Sequence, residues 1–271
     1  MEQVRLVQAT IPRRRVVRAR VGVLEDVRGS AGDGHGSGGM AISRLGSGLS
    51  AADHHEDALS VKRARLSLMR RNGASEHNIL ALQSNLATTY ACVGRLEEAL
   101  RLRRDVHLGF PRLLGEDHGT TVVAGSNYAL SLHSLKRFGG VKSLLRKTLP
   151  VAQRGFGEGD AYTLRMRMAY AMALYEDGCA TLDDLHEAVK TLEETARTAE
   201  RVLGGAHPMT EVIEESLQES RAVLDARESG RDRGDVESLF WTLRKWRRRG
   251  PRKAKQVFVQ TQLPPQQTRS N

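Results

Sequence analysis

Asn85-Leu86-Ala87, Asn127-Tyr128-Ala129 and Ala169-Tyr170-Ala171 follow one another at intervals of 42 residues. Gly73, Gly115 and Gly157 keep the same interval, as do Arg95-Leu96 and Arg137-Phe138. A fixed period of this length means an array of repeated supersecondary units, each of which hides its apolar face only by stacking on its neighbours. That constraint decides the architecture before any motif is considered.

Within one period, Ile79, Leu82, Leu86 and Tyr90 fall at helical spacing, Val93-Gly94 breaks the run, and Leu96, Ala99, Leu102 and Val106 resume it. Each unit is therefore expected to be a helix hairpin. Ala87, Ala129 and Ala171 belong where the two helices cross, because a larger side chain would hold the axes apart. Tyr90, Leu132 and Leu174 fill the space one turn on. Gly109 and Pro111 predict a kink or early stop in the first unit's second helix, and Gly139-Gly140 weakens the start of the corresponding helix one repeat later.

Three further features complete the array. Asp57 to Arg71 reads as the second helix of an incomplete repeat, leaving an apolar face that a second copy of the chain could cover by self-association. Five extra residues, Glu176 to Ala180, lengthen the third unit, after which Thr181 and Asp184 have capping-box spacing. His207-Pro208 opens a last helix, whose charged face of Glu211, Glu214, Glu215, Glu219 and Arg221 suits a solvated cap. The expected fold is all-α: a solenoid of antiparallel helix hairpins with about three full repeats, an N-terminal half-repeat and a C-terminal capping helix.

Charge divides the chain in the same way. The net charge of +10 is +4 over residues 1–52, −1 over 53–227 and +7 over 228–271. Both flanks are basic and poor in apolar residues, which predicts a disordered Gly/Ser-rich region at 1–52 and a disordered tail at 228–271 around the repeat array at 53–227. Cys92 and Cys179 are too few and too far apart for a disulfide framework or a zinc module. With no stretch of about 20 apolar residues and no signal-like N-terminus, the expectation is a cytoplasmic chain. Nuclear placement through the basic tail stays open. A mitochondrial leader would suit the six arginines of residues 3–24 less well, since Ser is absent there and Pro12 interrupts any helix.

The segments Asn85-Leu86-Ala87, Gly94-Arg95-Leu96-Glu97-Glu98-Ala99-Leu100, Leu114-Gly115-Glu116-Asp117-His118 and Leu203-Gly204-Gly205-Ala206-His207-Pro208 resemble the 42-residue tetratricopeptide repeats of kinesin light chains. The resemblance covers about residues 53–227 and implies a protein-binding scaffold. In such proteins the first helix of each hairpin lines a concave groove that holds an extended partner peptide. Carried over by position, the groove residues are Ser84, Asn85 and Thr88, then Ser126 and Asn127, then Arg165 and Met168. The amides of Asn85 and Asn127 are suited to hold the backbone of an extended strand whatever its sequence, and Arg165 to meet an acidic side chain beside an adaptable Met168. The alternative is that these amides face water or a helix end, with Met168 in the core and Arg165 a solvated charge.

No catalytic set emerges, so the chain is not expected to be an enzyme, and neither a cofactor nor a metal is implied. Gly34 to Gly39 lacks the Lys-Ser or Lys-Thr of a phosphate loop. His54-His55-Glu56-Asp57 reads as a solvated helix start, because adjacent histidines on a helix point apart. His118 and His207 recur at repeat junctions, where they can cap the following helix. The rival to groove binding is the tail, in which Trp241 and Trp246 accompany Arg244, Lys245, Arg247, Arg248, Arg249, Arg252, Lys253 and Lys255. Nucleic-acid binding, attachment to an anionic membrane surface, nuclear import and a plain solvated tail all fit that composition.

Overall fold

The computed structural model describes residues 45–50 and 54–230. The helices are α1 (His55–Arg71), α2 (Glu76–Cys92), α3 (Leu96–Leu114), α4 (Gly119–Ser134), α5 (Phe138–Phe156), α6 (Ala161–Tyr175), α7 (Leu182–Leu203) and α8 (Pro208–Glu228), with a short helical segment at 45–50. They form two compact units, the first ending at Val106 and the second beginning at His107.

In the first unit Leu59 and Leu66 of α1, Leu82, Leu86 and Tyr90 of α2, and Ala99 of α3 form one buried cluster. These are the residues whose helical spacing marks the apolar face in the sequence. The face left bare by the incomplete repeat is not bare: Leu45 and Leu49 pack on Ala58 and Val61. The helical segment at 45–50 thus lies within what composition assigns to the N-terminal flank.

The hairpin turns are set by backbone chemistry. After α2, Gly94 takes φ +80°. The Arg95 N–H then donates to the Tyr90 carbonyl at 2.9 Å, a Schellman-type ending in which a left-handed residue closes the helix. One period later Arg137 N–H donates to the Leu132 carbonyl at 2.8 Å, but the left-handed position is held by Lys136, at φ +56°. A side chain there costs roughly 1 kcal/mol that glycine avoids. Lys136→Gly is accordingly expected to raise stability by about that amount, measured as a higher urea midpoint with unchanged m-value.

In the second unit each helix packs on the next from α4 to α8, with α4 also against α6 and α6 against α8. The central helix α6 reads Ala-Tyr-Thr-Leu-Arg-Met-Arg-Met-Ala-Tyr-Ala-Met-Ala-Leu-Tyr, apolar on nearly all sides, and is buried accordingly. The small residues meet the expectation for helix crossings, since Ala87, Ala129 and Ala171 are at most 1 % exposed.

Two local expectations are corrected. Gly109 and Pro111 do not stop α3, which continues to Leu114. Pro111 lies in the last turn, its ring forfeits a bond to only the His107 carbonyl, and the fully buried Phe110 anchors that turn. Glu219 does not belong to the outer face of α8 but is buried, accepting a 2.9 Å hydrogen bond from the Tyr175 hydroxyl. It stands seven residues after the buried Val212, on the same side of the helix.

The repeat junctions follow a common plan. Gly115 and Gly204 have positive φ, and their carbonyls accept from Thr121 Oγ1 at 2.8 Å and Thr210 Oγ1 at 2.9 Å. The N-caps of α4 and α8 are His118 and His207, whose Nδ1 atoms accept from Thr120 N–H and Met209 N–H at 3.1 Å. The capping role of these histidines thus holds. Thr181 and Asp184 form the expected reciprocal capping box at the start of α7.

Candidate functional site

The first helices of the hairpins are α2 in the first unit and α4 and α6 in the second. On α2, Ser84 is buried, while Asn85 and Thr88 are half-buried. Thr88 Oγ1 donates to the Ser84 carbonyl at 3.3 Å. No described residue hydrogen-bonds the side-chain amide of Asn85, which leaves its donors and acceptor for another group. On α4, Ser126 and Asn127 are 1 % and 3 % exposed. Asn127 is thus held in the interior, unlike its counterpart Asn85, and the two amides are not equivalent.

Met168 is fully buried and packs in the interior of the second unit. Arg165 differs from every other cation on α6. Its Nε and Nη1 are buried without a hydrogen-bond partner among the described residues. Its guanidinium lies 5.6 Å from the Tyr162 ring centroid. Burial pulls its pKa below the usual arginine value, only partly opposed by Tyr162 and Asp160. The Asp160 carboxylate is already engaged, accepting from Tyr162 N–H at 2.8 Å as the N-cap of α6.

Arg167 shows what pairing on the same helix looks like. Its Nη1 donates to Glu158 at 2.9 Å and its Nη2 to Glu194 of α7 at 2.6 Å. At about 100° per residue, Arg165 projects from the side of α6 opposite to Arg167. A desolvated guanidinium with two unpartnered N–H groups is a strong donor site for a carboxylate, since a charge-assisted bond recovers part of the lost hydration.

Buried cations recur in the first unit, where helical periodicity does not flag them. Lys62 Nζ donates to the hydroxyls of Thr89 at 2.7 Å and Ser50 at 3.0 Å, and burial lowers its pKa. Burial likewise pulls Arg103 down to about 10. In the sequence both look like ordinary solvated charges, because only the packed neighbours reveal their desolvation. The tail residues Arg244, Lys245, Arg247, Arg248, Arg249, Arg252, Lys253 and Lys255 lie outside the described residues.

His107 adds a pH-sensitive contact in the second unit. Its ring stacks on Tyr128 with centroids 5.3 Å apart, and its buried Nδ1 has no hydrogen-bond partner among the described residues. Burial lowers the imidazole pKa, with Glu116 opposing weakly. The unfolded chain therefore takes up the proton at a higher pH than the folded one. Stability from this contact is complete above the unfolded value of about 6.5 and is lost as pH falls from there toward the folded value. His107→Phe is expected to keep the stack and flatten the fall in melting temperature between about pH 8 and pH 5, measured by thermal melts of both proteins.

Comparison with known proteins agrees with this geometry. Residues 79–119 match the tetratricopeptide repeat family model. No curated protein matches the chain in sequence. Among solved structures it is similar to a point variant of a candidate kinesin light chain of Podosopora anserina with nearly identical TPR-like repeats. That match has 18% identity and a TM-score of 0.60 and covers 76% of this chain and 92% of that one. It is also similar to BtubC (BKLC) from P. vanneervenii, with 18% identity and a TM-score of 0.58, covering 90% of this chain and 96% of that one. The fold is thus an all-α array of tetratricopeptide-type helix hairpins, similar to that of these solved structures.

Proposed function

We propose that the protein is a scaffold or adaptor that binds an extended segment of a partner protein on a first-helix face, either that of α4 with α6 in the second unit or that of α2 in the first. Its activity is recognition and not catalysis. The observation that carries the reading is Arg165, a desolvated guanidinium whose Nε and Nη1 lack partners among the described residues, on a helix whose other arginine is held by two carboxylates. A partner carboxylate completes it. Asn85, with an uncommitted amide, supplies a sequence-independent contact to peptide backbone on α2. Tetratricopeptide repeats generally mediate protein–protein interaction, which supports the coarser part of this reading.

The test compares the full chain with a chain ending at Gly230 for binding of peptides selected on the full chain, at low salt and at roughly tenfold higher salt. Recognition by the repeat helices survives both changes and falls in Arg165→Met. Binding that vanishes without residues 231–271 and drops steeply with salt would assign the activity to the basic tail, because phosphate or headgroup contacts release counterions.

A further inference from the structure

The short helical segment at 45–50 keeps the register of a hairpin's first helix. Leu45, Gly46 and Leu49 stand 41 residues before Leu86, Ala87 and Tyr90, and Ala58, Val61 and Lys62 stand 41 residues before Ala99, Leu102 and Arg103. The packing follows that register: Leu45 and Leu49 meet Ala58 and Val61 as Leu86 and Tyr90 meet Ala99 and Leu102. Gly46 holds the place of the crossing alanine, and a Cβ on it would lie 3.2 Å from Lys62 Cγ. α1 is therefore the second helix of a hairpin whose first helix includes residues 45–50.

That helix is weakly held. Its described length falls well short of the roughly 12–15 residues at which a helix persists alone, and Gly46 and Gly48 are poor helix formers. Its docking uses the two leucines, a 2.9 Å hydrogen bond from His54 N–H to the Leu49 carbonyl, and Lys62. Lys62 Nζ donates to Ser50 Oγ and to Thr89 Oγ1 of α2, and these hydroxyls donate onward to the carbonyls of Gly46 at 3.0 Å and Asn85 at 3.2 Å. Lys62 is 8 % exposed, and no described carboxylate lies within ion-pair distance of it. Its charge is kept from water beneath the segment and compensated by neutral oxygens, which recover only part of the lost hydration.

We propose that residues 45–50 are a detachable strap sprung by Lys62. In the closed state Leu45 and Leu49 are packed and the ammonium is dry. In the open state the ammonium regains water, the face of Ala58 and Val61 is uncovered, and the amine becomes accessible to acylating reagents. Hydration of the charge opposes burial of the leucines, so the two states lie close in free energy and the strap opens without the rest of its unit. The cluster of Leu59, Leu66, Leu82, Leu86, Tyr90 and Ala99 stays packed while it does so. A neutral side chain at position 62 shuts the strap, and loss of the Ser50 acceptor releases it. These opposite signs separate a spring from a simple latch, in which both changes would release the segment.

The experiment is hydrogen–deuterium exchange on the full chain, read by mass spectrometry at residues 45–50 and in α2, for the unchanged protein, Lys62→Met and Ser50→Ala. Protection at 45–50 is expected to be lower than in α2 by about tenfold or more. Lys62→Met slows exchange at 45–50 by about tenfold, and Ser50→Ala speeds it by about tenfold, with α2 unchanged in both. Acetic anhydride labelling of Lys62, scaled to that of the exposed Lys147, rises in Ser50→Ala in step with exchange. Faster exchange in Lys62→Met would make the lysine a latch that holds the segment down, and overturns the proposal. Exchange at 45–50 as slow as in α2 in all three proteins, or Lys62 labelling unchanged by Ser50→Ala, would make the segment a fixed helix and overturns it as well.

Discussion

Ala171→Leu is expected to lower the stability of the chain by about 3 kcal/mol, at the upper end of the usual cost of overpacking a filled core. Ala171 is completely buried on α6, the helix that packs against α4, α5, α7 and α8 at once. A leucine there either leaves its rotamer well or pushes two helix axes apart, and neighbours on several sides leave no direction for relief. At this chain length the change corresponds to a melting temperature lower by roughly 6–12 °C. Ala161→Leu is the control, because Ala161 is exposed at the first position of the same helix and its replacement changes stability by no more than about 0.5 kcal/mol. Equal melting of the two variants would mean that α6 does not approach its neighbours closely at the alanine that recurs with the repeat.

The second large effect has opposite signs in stability and in binding. Arg165→Met removes a guanidinium that is 8 % exposed and whose Nε and Nη1 are unpartnered among the described residues. The methionine retains most of the aliphatic volume and needs no hydration. Stability is expected to rise by about 1 kcal/mol, since replacing a desolvated charge with a packed apolar group is commonly neutral or favourable. Affinity for a peptide selected on the full chain is expected to fall about tenfold or more, the usual worth of a hydrogen bond to a charged group. A destabilised variant would mean that the guanidinium is satisfied within the protein, and that the cation is structural. Paired melts and binding titrations on one preparation read both signs.

How much of this was legible in the sequence depends on the range of the interactions involved. Helix starts and stops were readable because their causes are local: Thr181 with Asp184, His118, His207 and the positive-φ Gly94 act on neighbours a few residues away. The crossing alanines were readable because a repeat imposes the same packing constraint at each period. Glu219 was misplaced because α8 is amphipathic in composition, yet Tyr175 of α6 reaches its carboxylate across the interface. Met168 and Asn127 were candidates for an accessible face and are buried, because α6 and α4 lack a polar stripe and periodicity says little about which side of such a helix meets solvent. Pro111 mattered less than expected because its cost depends on its distance from the helix end. Arg165 was named as a candidate, but its sequence context resembles that of Arg167, and only the packed neighbours separate the cation held by two carboxylates from the one whose Nε and Nη1 have no partner among the described residues.

Photo-crosslinking tests the central claim most directly. A selected peptide carrying a benzophenone side chain is irradiated with the full chain, and the labelled residues are identified by mass spectrometry. Recognition by the repeat array predicts adducts on the first helices, α2, α4 or α6, and their loss when unlabelled peptide competes. Adducts confined to residues 231–271, or to α5 and α7 alone, would contradict it.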